Sequence, residues 1–373
     1  MRHDMQESVD RGDYAHGVTP WDDPVWRDAA LGWARERLAE HGLRELEEER
    51  EQGGAGAVVR LRPWSVLVRL TVGDDRVGGG RIRDVQVGGD RVGDGHRTVW
   101  FKAGPPDGRF EAGLAQALAA WTPEHVLAPL AVDTDRGWAL MPDGGTLFAH
   151  ELDRGPADPR AWEAPLRQYA ALQRTLTGRT DELLALGVPD GRPAALPAIF
   201  DRLVEECRAL RPADRTALRA RRPRLVDWCD ELAASGVPDS LDHSDLQESQ
   251  IFSPREGRYT FFDWGDAVVA HPFSTLLVTA RLARRRFGPD VLPGLRDAYL
   301  EAWTGDGTSP AELRRTAALA TRLAAVHRAV CWGRGFPVRG DDGEVRSGDD
   351  ETAEAMARWL RELFAEPGLW DTH

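Results

Sequence analysis

Along residues 98–103, Val99 and Phe101 alternate with Trp100 and Lys102, the two-residue period of a strand with one apolar face. Strands are also expected over 57–61 and 65–71, meeting at Arg62-Pro63-Trp64, and over 126–132 and 137–142, which would complete a sheet. Residues 24–49 show helical spacing at Trp26, Ala30, Trp33, Arg37 and Leu38, then a Glu-rich run that reads as a solvated helix face. A Gly/Pro turn after Lys102 leads into a helix expected over 109–121. Residues up to about 20 read as a flexible leader, and 73–96, dense in Gly, Asp and Arg, as a mobile, hairpin-like extension.

The stretch Met141-Pro142-Asp143-Gly144-Gly145 breaks this pattern and marks a hinge. Beyond it the chain reads as mostly helical. Trp162, Leu166, Tyr169, Leu172 and Leu176 form one apolar stripe, and further helices are expected over 196–211, 214–235, 272–287, 289–303, 310–332 and 350–364. The arginine clusters at 219–224 and 284–286 read as solvated faces. The expected class is α+β and bilobal: a small antiparallel sheet with one main helix over 1–143, and a larger, mostly helical part over 144–373.

Composition narrows the function. A chain of 373 residues exceeds one usual core, and 14 Trp with 42% apolar residues suffice for two. No apolar run reaches membrane-spanning length, and MRHDMQESVD lacks the basic start and apolar segment of a signal peptide, so a cytoplasmic protein without membrane partners is expected. Cys207, Cys229 and Cys331 are widely spaced, which suggests neither disulfides nor zinc. A formal charge of −13 argues against nucleic acid and is compatible with a cationic substrate.

Lys102 is the single lysine among the 48 basic residues; the rest are arginines. A lone survivor marks a place where a compact ammonium is needed and a guanidinium fork would not fit. Glu111, in the first turn of the next helix, is placed to pair with it, although the helix dipole alone also favours a glutamate there. Gly78-Gly79-Gly80 has no helix after it and so is no dinucleotide fingerprint, and no Walker-type loop surrounds the lysine.

The chemistry concentrates in residues 241–266, LDHSDLQESQIFSPREGRYTFFDWGD. The apolar Ile251-Phe252, the turn residues 254–257 and the β-branched or aromatic 259–262 predict a hairpin. Its closed ends would gather Asp245, Gln250 and Asp263, a fair ligand set for Mg²⁺ held together with phosphate oxygens. The order also matters. Protein kinases place H-x-D, then a carboxamide five residues after that Asp, then D-F-G; here His243-x-Asp245, Gln250 and Asp263-Trp264-Gly265 keep the order.

On these residues the chain resembles the aminoglycoside phosphotransferase family of the kinase-like fold, which also takes in choline kinase. The resemblance covers roughly 58–332 and implies ATP and Mg²⁺ as cofactors, with phosphoryl transfer to a hydroxyl of a small polar metabolite or antibiotic. Antibiotic resistance would be one consequence. It implies Asp245 as the catalytic base, His243 as a brace of its loop, Asp263 as the principal Mg²⁺ ligand, Lys102 as the phosphate grip and Glu111 as its anchor. Trp64 and Ser65 fall where the family covers the ATP phosphates, without its glycines, and Met141 and Asp143 where backbone groups read the base. A monomer or homodimer is expected.

Two departures keep other readings open. The family's metal-binding asparagine is Gln250, in a sequence with no Asn at all, and Ser274-Thr275 stand where an acid is common. Asp266 is a candidate to take up the lost metal role, but a helix cap is the expectation. A pseudokinase acting as a nucleotide- or partner-binding module is the alternative. A metal-dependent hydrolase using His243, Asp245 and Asp263 leaves Lys102 unexplained.

Overall fold

The computed structural model describes residues 8–14, 18–46, 58–74, 96–156, 158–305, 307–339, 345–347, 350–366 and 368–370. The expected extension therefore lies outside the described residues over 75–95, as do 1–7 and 15–17 of the expected leader and 47–49 of the Glu-rich run. Two compact units form: Met1–Gly145 with Arg334–Asp349, and Thr146–Gly333 with Asp350–His373. The first is sheet-rich and the second mainly helical, an α+β architecture.

The first unit contains β1 (Ser8–Asp10), β2 (Leu43–Glu45), β3 (Val58–Arg62), β4 (Ser65–Asp74), β5 (Arg97–Ala103), β6 (Ala131–Asp133) and β7 (Trp138–Pro142). They hydrogen-bond in the order β1-β3-β4-β5-β7-β6, with β2 paired to β4. Every pairing is antiparallel except β1 with β3, which is parallel and departs from the all-antiparallel expectation. Alternation sets the faces. Val66, Val68, Leu70 and Val72 of β4 are buried together with Val99, Phe101 and Ala103 of β5. Helix α1 (Pro24–Glu40) closes this face, its Trp26 and Trp33 meeting Phe101 and Trp138 edge-on at 5.6–6.4 Å between ring centroids. The opposite face of β5 carries Lys102 toward α2 (Phe110–Trp121).

Two boundaries moved for local reasons. Asp23 caps α1 by accepting from the Val25 amide, but the helix stops at Glu40 rather than running on, because Gly42 takes φ +68° and the chain turns into β2. Strand β6 is three residues long instead of seven, since Pro129 has no amide to donate; the Leu130 amide begins the pairing on the Leu140 carbonyl. Late in the chain, Pro337–Arg339 pairs with Val345–Ser347, and Phe336, 5% exposed, joins the core under the sheet.

The second unit holds α3 (Phe148–Asp153), α4 (Glu163–Leu176), α5 (Thr180–Ala185), α6 (Leu196–Glu206), α7 (Pro212–Ala220), α8 (Arg222–Ala233), α9 (Leu276–Phe287), α10 (Leu292–Leu300), α11 (Pro310–Trp332) and α12 (Asp350–Glu362). The α4 stripe is buried as its spacing predicts. The single helix expected over 214–235 is two, because Pro223 restarts it in the first turn of α8. The first turn of the helix expected over 272–287 is a 3₁₀ turn, Pro272–Thr275. Two short ladders sit among these helices: β8 (Ser240–Asp242) with β11 (Val268–Ala270), and β9 (Ile251–Arg255) with β10 (Arg258–Phe261), both antiparallel. Among the described residues no helix is long and apolar enough to cross a membrane.

Candidate active site

In the first unit, Lys102 is paired in register with Leu67 of β4 and Ala139 of β7, so its position is fixed from both sides. Its Nζ donates to Glu111 Oε1 at 2.5 Å, with 17% and 14% of the two side chains exposed. Trp64 and Ser65 lie at the tight turn between β3 and β4. Trp64 is 37% exposed with its ring edge-on to Tyr14 at 4.9 Å, and the Pro63 carbonyl beside it accepts from the Phe336 amide. At the end of β7, Met141 pairs in register with Trp100. Asp143 accepts from Trp100 Nε1 at 3.1 Å and from the Gly145 amide at 2.7 Å, so its carboxylate stabilises the turn.

In the second unit the loop after β8 is shaped by a buried acid. Asp242 accepts from the Ser244 amide at 3.1 Å and the Ser244 hydroxyl at 2.9 Å, which holds Ser244 at φ +60°. Burial raises the Asp242 carboxyl to about 6, the Ser244 bonds only partly opposing it. His243 is fully buried. Its Nε2 donates to the Phe262 carbonyl at 2.9 Å, its amide donates to the Tyr169 hydroxyl at 2.9 Å, and its ring packs on Trp264 at 4.8 Å. Burial lowers its pKa, so the ring is neutral and braces the chain before and after the hairpin.

Asp245 follows, with 21% of its side chain exposed. One oxygen takes Arg328 at 3.1 Å; the other takes Gln247 Nε2 at 2.7 Å and faces Gln250 Nε2 at 3.5 Å. Burial raises the carboxyl to about 7 against the pull of Arg328, with the Asp266 and Asp263 charges adding to the rise. The hairpin forms as its sequence predicts, and Glu256 and Gly257, both at positive φ, make its turn. The Phe262 amide closes it onto the Gln250 carbonyl at 3.1 Å. Asp263 then sits exposed at φ +66°, ψ +60°, at the mouth of the 3₁₀ turn Trp264–Asp266.

Asp266 is not the helix cap expected of it. Nine residues separate it from α9, and His271 caps the intervening turn; Asp266 instead binds Arg328 at 2.8 Å. Arg328 is the residue that sequence reasoning missed. It lies on α11 among the buried Thr321, Ala324, Ala325 and Ala329, so a charge on that otherwise uncharged stripe was the available signal.

Among the described residues no group of three or more His, Cys, Asp or Glu could hold a metal by itself. Asp263 and Gln250 supply a carboxylate and a carboxamide, whose oxygens suit Mg²⁺ but fall short of its full shell. As donors of that type they would leave most of a cation's shell to phosphate oxygens and water.

No family model and no curated protein matches the sequence. Solved structures do share the fold. An ethanolamine kinase from Plasmodium vivax aligns with TM-score 0.54 and 12% identity over 86% of this chain and 84% of that one. An amicoumacin kinase in complex with AMP-PNP, Ca²⁺ and Ami aligns with TM-score 0.53 and 10% identity, over 93% of this chain and 97% of that one. A macrolide 2'-phosphotransferase type I aligns with TM-score 0.50 and 16% identity, over 89% and 97%. The fold is thus the bilobal, protein-kinase-like one of small-molecule kinases and phosphotransferases.

Proposed function

We propose that this chain is an ATP-dependent O-phosphotransferase that moves the γ-phosphoryl group to a hydroxyl of a small polar metabolite or antibiotic in the cytoplasm. Asp245 carries the reading: its carboxylate is held by fixed donors on both oxygens yet keeps an open edge, and burial brings it near neutral pH, where a general base works best. The acceptor hydroxyl donates its proton to Asp245 as its oxygen bonds to the γ-phosphorus. The bond from that phosphorus to the β–γ bridging oxygen breaks, and ADP leaves with the electron pair. Lys102 grips phosphate oxygens, and Glu111 aims its ammonium. Asp263 and Gln250 would hold Mg²⁺, which when bound neutralises phosphate charge. His243 keeps the two ends of the hairpin in place.

A second reading, a nucleotide- or partner-binding module without transfer, is favoured by Gln250: its amide nitrogen faces Asp245 and its oxygen accepts from the Ser249 hydroxyl at 3.1 Å. A panel of hydroxylated metabolites and antibiotics, scored for ADP release beside Asp245→Ala and Asp263→Ala, separates the two. Transfer predicts acceptor-dependent release that both substitutions abolish. Release surviving Asp245→Ala removes the base role, and a thermal shift with Mg·ATP but no turnover on any acceptor supports the binding module.

A further inference from the structure

We infer that Arg328 is the positioning residue of the phosphotransfer site, one guanidinium that locks the catalytic loop to the metal-side turn. The inference rests on the reading of Asp245 and Asp263 given above. Arg328 Nη2 reaches Asp245 at 3.1 Å, while Nη1 reaches both the Ser244 carbonyl at 3.1 Å and Asp266 at 2.8 Å. Only 7% of the residue is exposed. A buried guanidinium is costly unless its charge is met, and here two carboxylates and a carbonyl take both Nη groups, leaving Nε alone without a partner. Burial works against its charge, yet Asp245 and Asp266 outweigh it and hold the group above its ordinary value.

The two segments it joins each contain a non-glycine residue in the left-handed region, Ser244 before Asp245 and Asp263 before the turn that ends at Asp266. Such conformations persist only where the surroundings over-determine them. Without the guanidinium, Asp245 and Asp266 would also face each other as like charges. The planar fork spans two carboxylates at once, which a lysine ammonium cannot reproduce. Arg328 therefore acts through Asp245, fixing the carboxylate that receives the hydroxyl proton.

The test uses the full chain with Arg328→Gln, Arg328→Lys, Asp266→Asn and the Arg328→Gln/Asp266→Asn pair. Three quantities are measured: kcat and KM on the best acceptor, nucleotide affinity, and amide hydrogen exchange. Expected are a kcat lower by about 100-fold for Arg328→Gln, a partial recovery in Arg328→Lys, and nucleotide affinity unchanged within about twofold. The double variant should be no worse than Arg328→Gln alone, since both remove the same tie. Exchange should quicken over 244–247 and 264–267 and not over α4 or α6. Unchanged kcat in Arg328→Gln overturns the inference, as does faster exchange across the whole unit, which would make Arg328 a fold residue only. If Arg328→Gln does not fold, Asp266→Asn with wild-type kcat overturns it. An inactive wild type instead removes the phosphotransfer reading, and the exchange pattern still decides whether the tie exists.

Discussion

Lys102 Nζ donates to Glu111 Oε1 at 2.5 Å, so the chain's one lysine is aimed by a glutamate on the helix that follows its strand. Neither residue is at the surface in the usual sense, and the pair is fixed at one end by the sheet and at the other by α2.

The first prediction follows from that geometry. Lys102→Ala should lower kcat/KM for ATP by about 100-fold and Glu111→Gln by about 10-fold, since the ammonium remains but loses its aim. Lys102→Arg should resemble Lys102→Ala rather than wild type. Steady-state ADP release against ATP concentration measures all three, and an active Lys102→Arg would contradict the need for an ammonium.

The hairpin separates two further roles. Asp245→Asn should cut kcat by about 10²–10⁴-fold with nucleotide affinity retained, the loss expected of a missing general base. Asp263→Asn should instead raise the Mg²⁺ concentration for half-maximal rate by more than about 10-fold. Equal effects of the two substitutions on the Mg²⁺ titration would show that the roles are not divided in this way.

Asp242 should make stability fall as pH rises. Its folded carboxyl lies at about 6, above the ordinary 3.8, so the folded chain binds the proton more tightly than the unfolded one. That contribution is complete below pH 3.8 and lost as pH climbs through about 6. Asp242→Asn removes the titration, so its stability relative to wild type should grow from pH 5 to pH 8 by about 1–2 kcal/mol. Urea unfolding of both proteins across that range is the check; a gap that widens on acidification would reverse the sign.

Gly191 should not tolerate a side chain. An added Cβ would meet Val268 Cγ2 at 2.5 Å and His327 Nε2 at 2.8 Å, while the glycine amide donates to the Val269 carbonyl and its own carbonyl accepts from His327. Gly191→Ala should therefore cost about 1–3 kcal/mol by overpacking. The melting temperature reads it directly.

Much of this was legible because the signals were local. Lys102 stood out by composition, and the faces of β5 by alternation. The spacing of Asp245, Gln250 and Asp263 around a hairpin marks them as one loop system in the sequence itself. Residues joined by packing alone were hidden. Arg328 reaches Asp245 from a helix distant in sequence, and only its place on an otherwise uncharged stripe betrays it. Asp266 read as a cap because a helix was expected to begin nearby, whereas a 3₁₀ turn and His271 come first. Strand β1 has three residues, too few for any period to show. Gly42 ended α1 where the Glu-rich continuation suggested more helix.

Phe336 packs into the core formed by β3–β5 and α1, and its amide reaches back to Pro63. Although nearly everything else in that unit is made early, the ribosome must finish most of the second unit before this last plug exists. A nascent chain halted after Gly145 would leave the opening under the sheet uncovered. Attempts to express the amino-terminal portion alone should accordingly carry 334–339 back in, by circular permutation or as an added peptide.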